Sequence, residues 1–337
     1  MMDNRGVESP RSRIFTLAGG LILLAAGVLW SQEAAPVAPP GTSERGETIE
    51  PPAAEFIIRS TVERVLLDVS VKDARGGFVS GLGKDDFRVF EDGKPQSISE
   101  FGAGDIPVTV GIVVDESFSM WTKRPEVMTA ALTFAKESNP HDEMFVIHFN
   151  ETVWPGLPGP ALFTSDYNAL RNALLAGKAE GRTALYDAIV YSLEQLNEGR
   201  QAKKTLVLIS DGGDNASKHK LADVIRITEQ TPATIYTIGV FDPLDRDKNP
   251  ALLRRLAGIS GGVAWVPKQL SDIVPICRGI AKDIRNRYLV GYAPSLGNGK
   301  EEIRHIRVVA AAPGHGRLIA RARSSYLYTA DKEPARK

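Results

Sequence analysis

Three oxygen-bearing side chains follow a strongly apolar segment at alternate positions. Residues 108–114 leave no polar face, which predicts a central strand buried on both sides. Asp115, Ser117 and Ser119 then fall in the loop at the carboxyl end of that strand. Ligands of open α/β sheets bind at this edge. Because the three side chains offer oxygen, and no histidine or cysteine is among them, the spacing favours a hard cation such as Mg²⁺.

Two later loops carry matching chemistry. Thr183 lies just before a predicted helix, and Asp211 ends a hydrophobic strand and precedes two glycines. Taken singly, each motif has an ordinary interpretation: the serines and Thr183 as helix caps, and Asp211 as a turn residue. All five residues in order, each at the carboxyl edge, favour one common site.

The elements that position these loops alternate between strand and helix. We predict strands at 107–114, 143–149, 204–210, 233–240 and 262–266, and helices at 123–138, 166–176, 184–198, 218–230, 249–258 and 270–286. This alternation predicts the α/β class, with a doubly wound, mostly parallel sheet and helices on both faces. We expect this domain to span residues 105–286.

The flanks of that domain are β-rich. Residues 55–104 contain one alternating strand and a second strand at 87–90 closed by Asp92-Gly93, a hairpin signal. Residues 287–328 contain three further predicted strands, at 288–292, 303–310 and 317–323. Each piece is too small for its own core. We therefore expect a small all-β domain built from both sides, followed by a charged tail at 329–337.

The amino-terminal residues 1–31 have the pattern of an export segment. Arginines precede an uncharged apolar run from Ile14 to Trp30, so we expect a signal peptide or a single retained anchor. A Pro- and Glu-rich linker, predicted to be disordered, follows at 32–54. The expected location is therefore periplasmic, membrane-anchored or secreted.

Composition excludes several classes of protein. The 337 residues include 41 basic and 41 acidic side chains, so no basic surplus points to nucleic acid. Cys277 is the single cysteine, which excludes an internal disulfide and a thiolate zinc site. It lies in an apolar helical pattern and is predicted to be a buried small hydrophobe.

The five oxygen donors resemble, in order and spacing, the metal-ion-dependent adhesion site of the von Willebrand factor type A domain, and they match it position by position. The resemblance covers about residues 105–285. The flanking motifs Asp-Phe-x-Val-Phe-Glu-Asp-Gly (residues 86–93) and Arg-Tyr-x-x-Gly-Tyr (residues 287–292) are similar to those of type A-related proteins found in Acidobacteria.

The resemblance implies a role for each donor. The hydroxyls of Ser117, Ser119 and Thr183 would contact Mg²⁺ (or Mn²⁺ or Ca²⁺) directly, and Asp115 and Asp211 would act mostly through bound water. Neutral hydroxyls leave the cation under-neutralised, so it attracts an Asp or Glu carboxylate of a partner protein. The implied function is a divalent-metal-dependent, adhesion-type binding module.

Asp187 lies one helical turn beyond Thr183. It is predicted either to order the loop without contacting the cation or to make only a local helix interaction.

Two other functions remain open. The first is a metal-free interaction scaffold of the same fold, and the second is a metal-dependent hydrolase. A phosphoryl-transfer enzyme of similar topology would place a second acid at position 117, where this chain has serine. The nucleophile-elbow, phosphate-loop and dinucleotide motifs are missing from the sequence. We expect no histidine or lysine near the site to act as a base.

Two remaining polar features have ordinary interpretations. His148 lies in the middle of a strand and is predicted to be a satisfied core or interface residue. Asp242, Asp245, Asp247 and Asn249 crowd one loop but lack the spacing of a calcium loop, which favours a solvated turn.

Overall fold

The computed structural model describes residues 64–241, 247–297 and 300–329. The predicted export segment and linker, and nearly all of the charged tail, lie outside these ranges. None of the helices in the described ranges is long and apolar enough to cross a membrane.

Strands and helices follow one another in the predicted order. The strands are β1 (Val65–Lys72), β2 (Phe87–Glu91), β3 (Lys94–Gln96), β4 (Ile98–Gly102), β5 (Val108–Asp115), β6 (Glu143–Phe149), β7 (Val153–Pro155), β8 (Lys203–Ser210), β9 (Thr234–Gly239), β10 (Ala264–Trp265), β11 (Arg287–Tyr292), β12 (Glu302–Ala310), β13 (Ile319–Arg321) and β14 (Ser325–Tyr328). The helices are α1 (Arg124–Glu137), α2 (Tyr167–Leu175), α3 (Leu185–Asn197), α4 (Leu221–Gln230), α5 (Pro250–Ser260) and α6 (Ile273–Arg285).

The central sheet has the strand order β10-β9-β8-β5-β6-β7 within the described residues. All pairs are parallel except β6 with the short edge strand β7. Strand β5 is buried at all eight positions, as its unbroken apolar run predicts, because helices cover both faces of the sheet. The predicted α/β class and doubly wound sheet are confirmed.

One position in β5 shows how closely the layers pack. A Cβ at Gly111 would lie 2.5 Å from the ring of Phe145 and 2.8 Å from Leu206.

Cys277, on α6, is fully buried in the same core, and burial raises the pKa of its thiol to about 12. The prediction that this cysteine is a buried small hydrophobe is confirmed.

Strands from the two β-rich flanks pair with each other. Within the described residues they form two four-stranded sheets, ordered β13-β1-β11-β4 and β14-β12-β2-β3. Each sheet takes strands from both sides of the α/β domain: β1 pairs antiparallel with β11, and β2 with β12. Their apolar faces enclose a second core, separate from that of the central sheet. A β domain built from both sides is therefore confirmed, whereas the exact boundaries stay predictions.

The sequence patterns missed several short strands. The Asp92-Gly93 turn does close the β2–β3 hairpin, and both residues have positive φ, of 47° and 80°. However, β3, β4, β7 and β14 were not predicted, and the strand expected at 262–266 is only two residues long. These are edge strands or strands of mixed exposure, so they lack the periodic pattern that reveals a half-buried strand.

Candidate metal site

The carboxyl ends of β5 and β8 bring the first and third donor loops together. These strands are parallel neighbours, and their register pairs Val114 with Ile209. Because the register continues, Asp115 and Ser210 end their strands side by side, and Asp211 begins the next loop. Ser117 and Ser119 lie in and beside a short 3₁₀ turn directly after β5.

Four of the five predicted donors form one chain of hydrogen bonds. Asp115 accepts the backbone N–H of Ser117 on Oδ1 (2.9 Å) and the hydroxyl of Ser210 on Oδ2 (2.6 Å). The Ser117 and Ser119 hydroxyl oxygens lie 3.1 Å apart. The Ser119 hydroxyl donates to Oδ2 of Asp211 (2.6 Å). Residues 92 positions apart thus meet at one edge of the sheet.

Thr183 is held against the same edge by its backbone. Its N–H donates to the side chain of Asn215 (3.0 Å), and its carbonyl accepts the N–H groups of Asn215 and Ala216 (2.9 and 3.0 Å). The N–H of Phe118 donates to the carbonyl of Gly181 (3.1 Å), which joins this loop to the serine loop. Within the described residues, the Thr183 hydroxyl is not part of the hydrogen-bond chain that links the other four donors.

The two carboxylates of the site are deeply buried. Asp115 and Asp211 are 1% and 2% exposed. Burial, together with the nearby charge of Asp211, raises the pKa of Asp115 to about 7, and the hydrogen bonds from Ser117 and Ser210 only partly oppose the shift. Two such carboxylates repel each other, and a divalent cation between their loops would relieve that repulsion.

The chemistry of the donors fits a hard divalent cation. All five side chains offer oxygen, two as carboxylates and three as neutral hydroxyls. The described part of the chain contains no group of three or more His, Cys, Asp or Glu side chains that could hold a metal ion. The candidate site differs in kind from such a cluster, because hydroxyls are the majority of its donors. It fits Mg²⁺ or Mn²⁺ better than a soft metal.

Sequence reasoning missed Glu116, which lies between two of the donors and is fully buried. Its carboxylate accepts from Arg124 (2.8 Å) and lies 3.1 Å from Nδ1 of His148. Its backbone bonds to Phe149 and Glu180. Glu116 therefore joins the serine loop to α1, to β6 and to the segment before Thr183. No sequence signal separated it from a solvent-exposed acid.

The expectation that no histidine or lysine near the site acts as a base stays a prediction. His148 contacts Glu116, and its other ring nitrogen lies 2.8 Å from the carbonyl of Ala173. Lys123, also buried, donates its ammonium to the carbonyl of Val240 (3.0 Å). Both ring nitrogens of His148 are hydrogen-bonded within the core, so this residue is the satisfied core histidine that its mid-strand position predicts.

The carboxylate of Asp187 makes its hydrogen bonds with the segment before α4. It accepts the N–H groups of Lys218 and His219 and the ring nitrogen of His219 (2.7 Å). Burial is the largest single influence on the pKa of Asp187 and raises it, but these hydrogen bonds and the charge of His219 together outweigh burial and lower the pKa. Asp187 therefore orders the segment that leads into α4, and its predicted contribution to the site stays a prediction.

The acidic loop at 242–249 is described only in part. Asp242 and Asp245 lie outside the described residues. Asn249 caps α5, and its N–H donates to the carbonyl of Asp211 (3.1 Å). Asp247 accepts from the side chain of Asn215 (3.2 Å). The described part of this loop thus packs behind the loop that begins at Asp211.

Fold and site together define a doubly wound α/β domain with an oxygen-rich carboxyl edge. Residues 110–213 match the family model of the von Willebrand factor type A domain, and all five predicted donors fall within that range. The chain therefore contains a von Willebrand factor type A domain, as the motif resemblance implied. The likeness of the flanks to Acidobacterial relatives stays a prediction.

No curated protein matches the chain. Several solved structures do. A von Willebrand factor type A protein from Catenulispora acidiphila has 15% identity over 81% of this chain and 76% of its own, with a TM-score of 0.47. The vWF domain of a type V pilus tip protein from Porphyromonas gingivalis has 14% identity over 54% of this chain and 97% of its own, with a TM-score of 0.40. A proximal thread matrix protein from the mussel byssus, with a zinc-occupied metal site, has 13% identity over 54% and 48%, with a TM-score of 0.45.

Proposed function

We propose that this protein binds an acidic side chain of a partner protein through a divalent cation held by Asp115, Ser117, Ser119, Thr183 and Asp211. One observation carries the proposal: four of these residues lie in a continuous hydrogen-bond chain at the carboxyl edge of β5 and β8. The match of residues 110–213 to the type A family model supports it, because all five donors lie inside the match.

The cation would keep part of its positive charge, because its protein ligands would neutralise it only incompletely. The hydroxyls of Ser117 and Ser119 carry no charge, and they would hold the ion without cancelling its attraction for an outside carboxylate. Asp211, which accepts from Ser119, would orient that hydroxyl with its oxygen toward the ion. Such a site grips a ligand and requires no bond cleavage. We propose an exported location for it, on the basis of the amino-terminal segment.

A metal-free scaffold is the second candidate, and one observation favours it. The Ser119 hydroxyl and the Asp211 carboxylate already satisfy each other at 2.6 Å. When the side chains of a site are already hydrogen-bonded to one another, the site is stable without an ion. The two candidates differ in whether Mg²⁺ stabilises the folded protein.

The test is calorimetric titration of the full chain with Mg²⁺ and Mn²⁺, together with urea unfolding. We expect Mg²⁺ at one hundred times its Kd to add about 2.7 kcal/mol to the free energy of unfolding. Ser117→Ala should abolish both the heat and the stabilisation. Ser165→Ala, which changes an exposed serine away from the site, should preserve both.

Equal stabilisation of wild type and Ser117→Ala would contradict the assigned donors. If neither Mg²⁺ nor Mn²⁺ gave heat or stabilisation in the wild type, the scaffold would be the better description.

A further inference from the structure

An apolar groove of about 590 Å³ lies along the amino-terminal half of α1. Its apolar lining includes Trp121, Met128, Leu132 and Leu175. Trp121 is 60% exposed and Leu175 is 42% exposed, so these large side chains face solvent. A concave, mostly apolar surface of this size is typical of a ligand site.

Both walls of the groove continue into the candidate metal site. On one side, Trp121 follows the predicted donor Ser119 by two residues. On the other side, the wall at 177–179 leads within four residues to Thr183. The N–H of Phe118 donates to the carbonyl of Gly181, which joins the two loops between groove and site. A ligand bound at the cation therefore lies at the end of the groove.

The walls are held at a set separation by Arg124. Its guanidinium donates to the carbonyl of Gly177 (2.6 Å) and to the buried carboxylate of Glu116 (2.8 Å). A Cβ at Gly177 would lie 1.9 Å from that carboxylate, so only glycine permits this approach. The groove is thus preorganised, which reduces the ordering cost of binding.

The charges along the groove favour an acidic partner. Among the described residues that line it, Arg124 and Lys178 are cationic and none is acidic. Arg124 is committed to Glu116. Lys178 pairs with Glu180 at the surface, where both side chains are more than half exposed. Such exposed pairs contribute little, so Lys178 can exchange Glu180 for a carboxylate of the partner.

We propose that the partner segment is a short acidic and apolar peptide. It presents one Asp or Glu to the cation and one bulky apolar side chain to the groove between Trp121 and Leu175. Because the walls of the groove lead directly into the donor loops, the apolar residue follows or precedes the acid at one short, constant spacing. This inference rests on the proposed function. To the acidic residue bound at the cation it adds an apolar residue bound in the groove.

The test is selection from a random peptide display library on the full chain, with Mg²⁺ and with chelator. We expect wild type to select, only with Mg²⁺, peptides that contain Asp or Glu and a Leu, Ile, Met, Phe or Trp at a constant spacing. Trp121→Ala/Leu175→Ser should bind these peptides at least tenfold more weakly and select the acid alone. Leu162→Ser, at a residue 51% exposed outside the groove, is the matched control and should behave as wild type.

A second variant keeps both apolar side chains. Thr129 is exposed on α1 and lines the groove, so Thr129→Glu adds a carboxylate there without removing packing. It should weaken the selected peptides at least fivefold and leave Mg²⁺ stabilisation of the protein unchanged.

The outcomes separate the two proposals. An acid-only consensus from wild type, or an unchanged consensus from Trp121→Ala/Leu175→Ser, would overturn the groove inference while the metal-dependent function stands. Selection of apolar peptides that ignore Mg²⁺ and survive Ser117→Ala would overturn the proposed function and, with it, joint recognition.

Discussion

Two of the regions that bury carboxylates in this protein compensate their charge in opposite ways. At the carboxyl edge of the central sheet, Asp115 lies near Asp211 among hydroxyl and backbone donors. At the junction of β1 with α6 and β9, Asp68 and Asp283 are also buried but lie against Arg287, at 3.1 and 3.4 Å. The ammonium group of Lys203 is a second cation near Asp68, at 3.6 Å.

The pKa directions follow from this difference. At the edge, burial and the Asp211 charge raise the pKa of Asp115. At the junction, burial also raises the pKa of Asp283, but Arg287 and hydrogen bonds from Tyr236 and Ser70 outweigh it and lower the pKa. The chain supplies its own cation at the junction, whereas at the edge it supplies neutral donors. The buried carboxylates at the junction therefore stabilise the fold, whereas those at the edge are suited to binding an external cation.

The largest expected effect comes from removing the internal cation. Arg287→Met would remove the guanidinium that contacts both buried carboxylates, and it would leave the Gly261 carbonyl (2.6 Å) and the Thr234 hydroxyl without this donor. We expect a loss of about 3–5 kcal/mol in the free energy of unfolding, measured by urea denaturation.

The matched control is Arg226→Met, since Arg226 pairs with Glu301 at the surface and both side chains are more than half exposed. It should cost less than about 1 kcal/mol. A similar cost for both variants would mean that the junction pair contributes no more than a surface pair.

The same substitution at the two regions should have opposite consequences. Asp283→Asn breaks a charged network with Arg287, Tyr236 and Ser70, so we expect a loss of about 1.5–3 kcal/mol in stability. Asp115→Asn removes a repulsion, so in chelator it should be no less stable than wild type. On adding Mg²⁺, Asp283→Asn should gain as much stability as wild type and Asp115→Asn should gain none.

If Asp115→Asn in chelator lost as much stability as Asp283→Asn, the contrast between the two regions would be incorrect.

The smallest expected effect is on the pH dependence of stability. The folded pKa of Asp283 is lowered from its ordinary value of 3.8. Its contribution is therefore fully present above that value and is lost as the pH falls through the lowered folded pKa. In chelator and in the Asp115→Asn background, the free energy of unfolding should decrease as the pH falls below the ordinary value of 3.8, and Asp283→Asn should reduce that decrease. Identical curves with and without Asp283 would contradict the lowered pKa.

Local patterns were enough to predict the main architecture. The unbroken apolar run of β5 and the alternation of strands and helices require only near neighbours along the chain, and the parallel sheet was confirmed. The prediction that Asp115, Ser117, Ser119 and Asp211 lie together followed from one rule, that the loops after parallel strands share an edge. The hydrogen bonds among them agree with it.

Contacts between distant segments were not predictable in the same way. Glu116 looks like any acid in a polar loop, and only the fold places Arg124 and His148 around it. The Arg124 to Gly177 contact that separates the groove walls joins residues 53 positions apart. No periodic pattern in the sequence indicates such a contact, because neither residue stands out from its neighbours along the chain.

The sequence by itself determined the fold class, through its short-range spacing, and the pairing of the two β flanks, through their small size; it also predicts a set of oxygen donors at the sheet edge. Only the tertiary structure decided which buried carboxylates have an internal cation. Arg287 begins an ordinary strand in the sequence, yet it meets Asp68, 219 positions away. The physical reason is that charge compensation in a core depends on distance in space and on burial, and neither is written in the order of the residues.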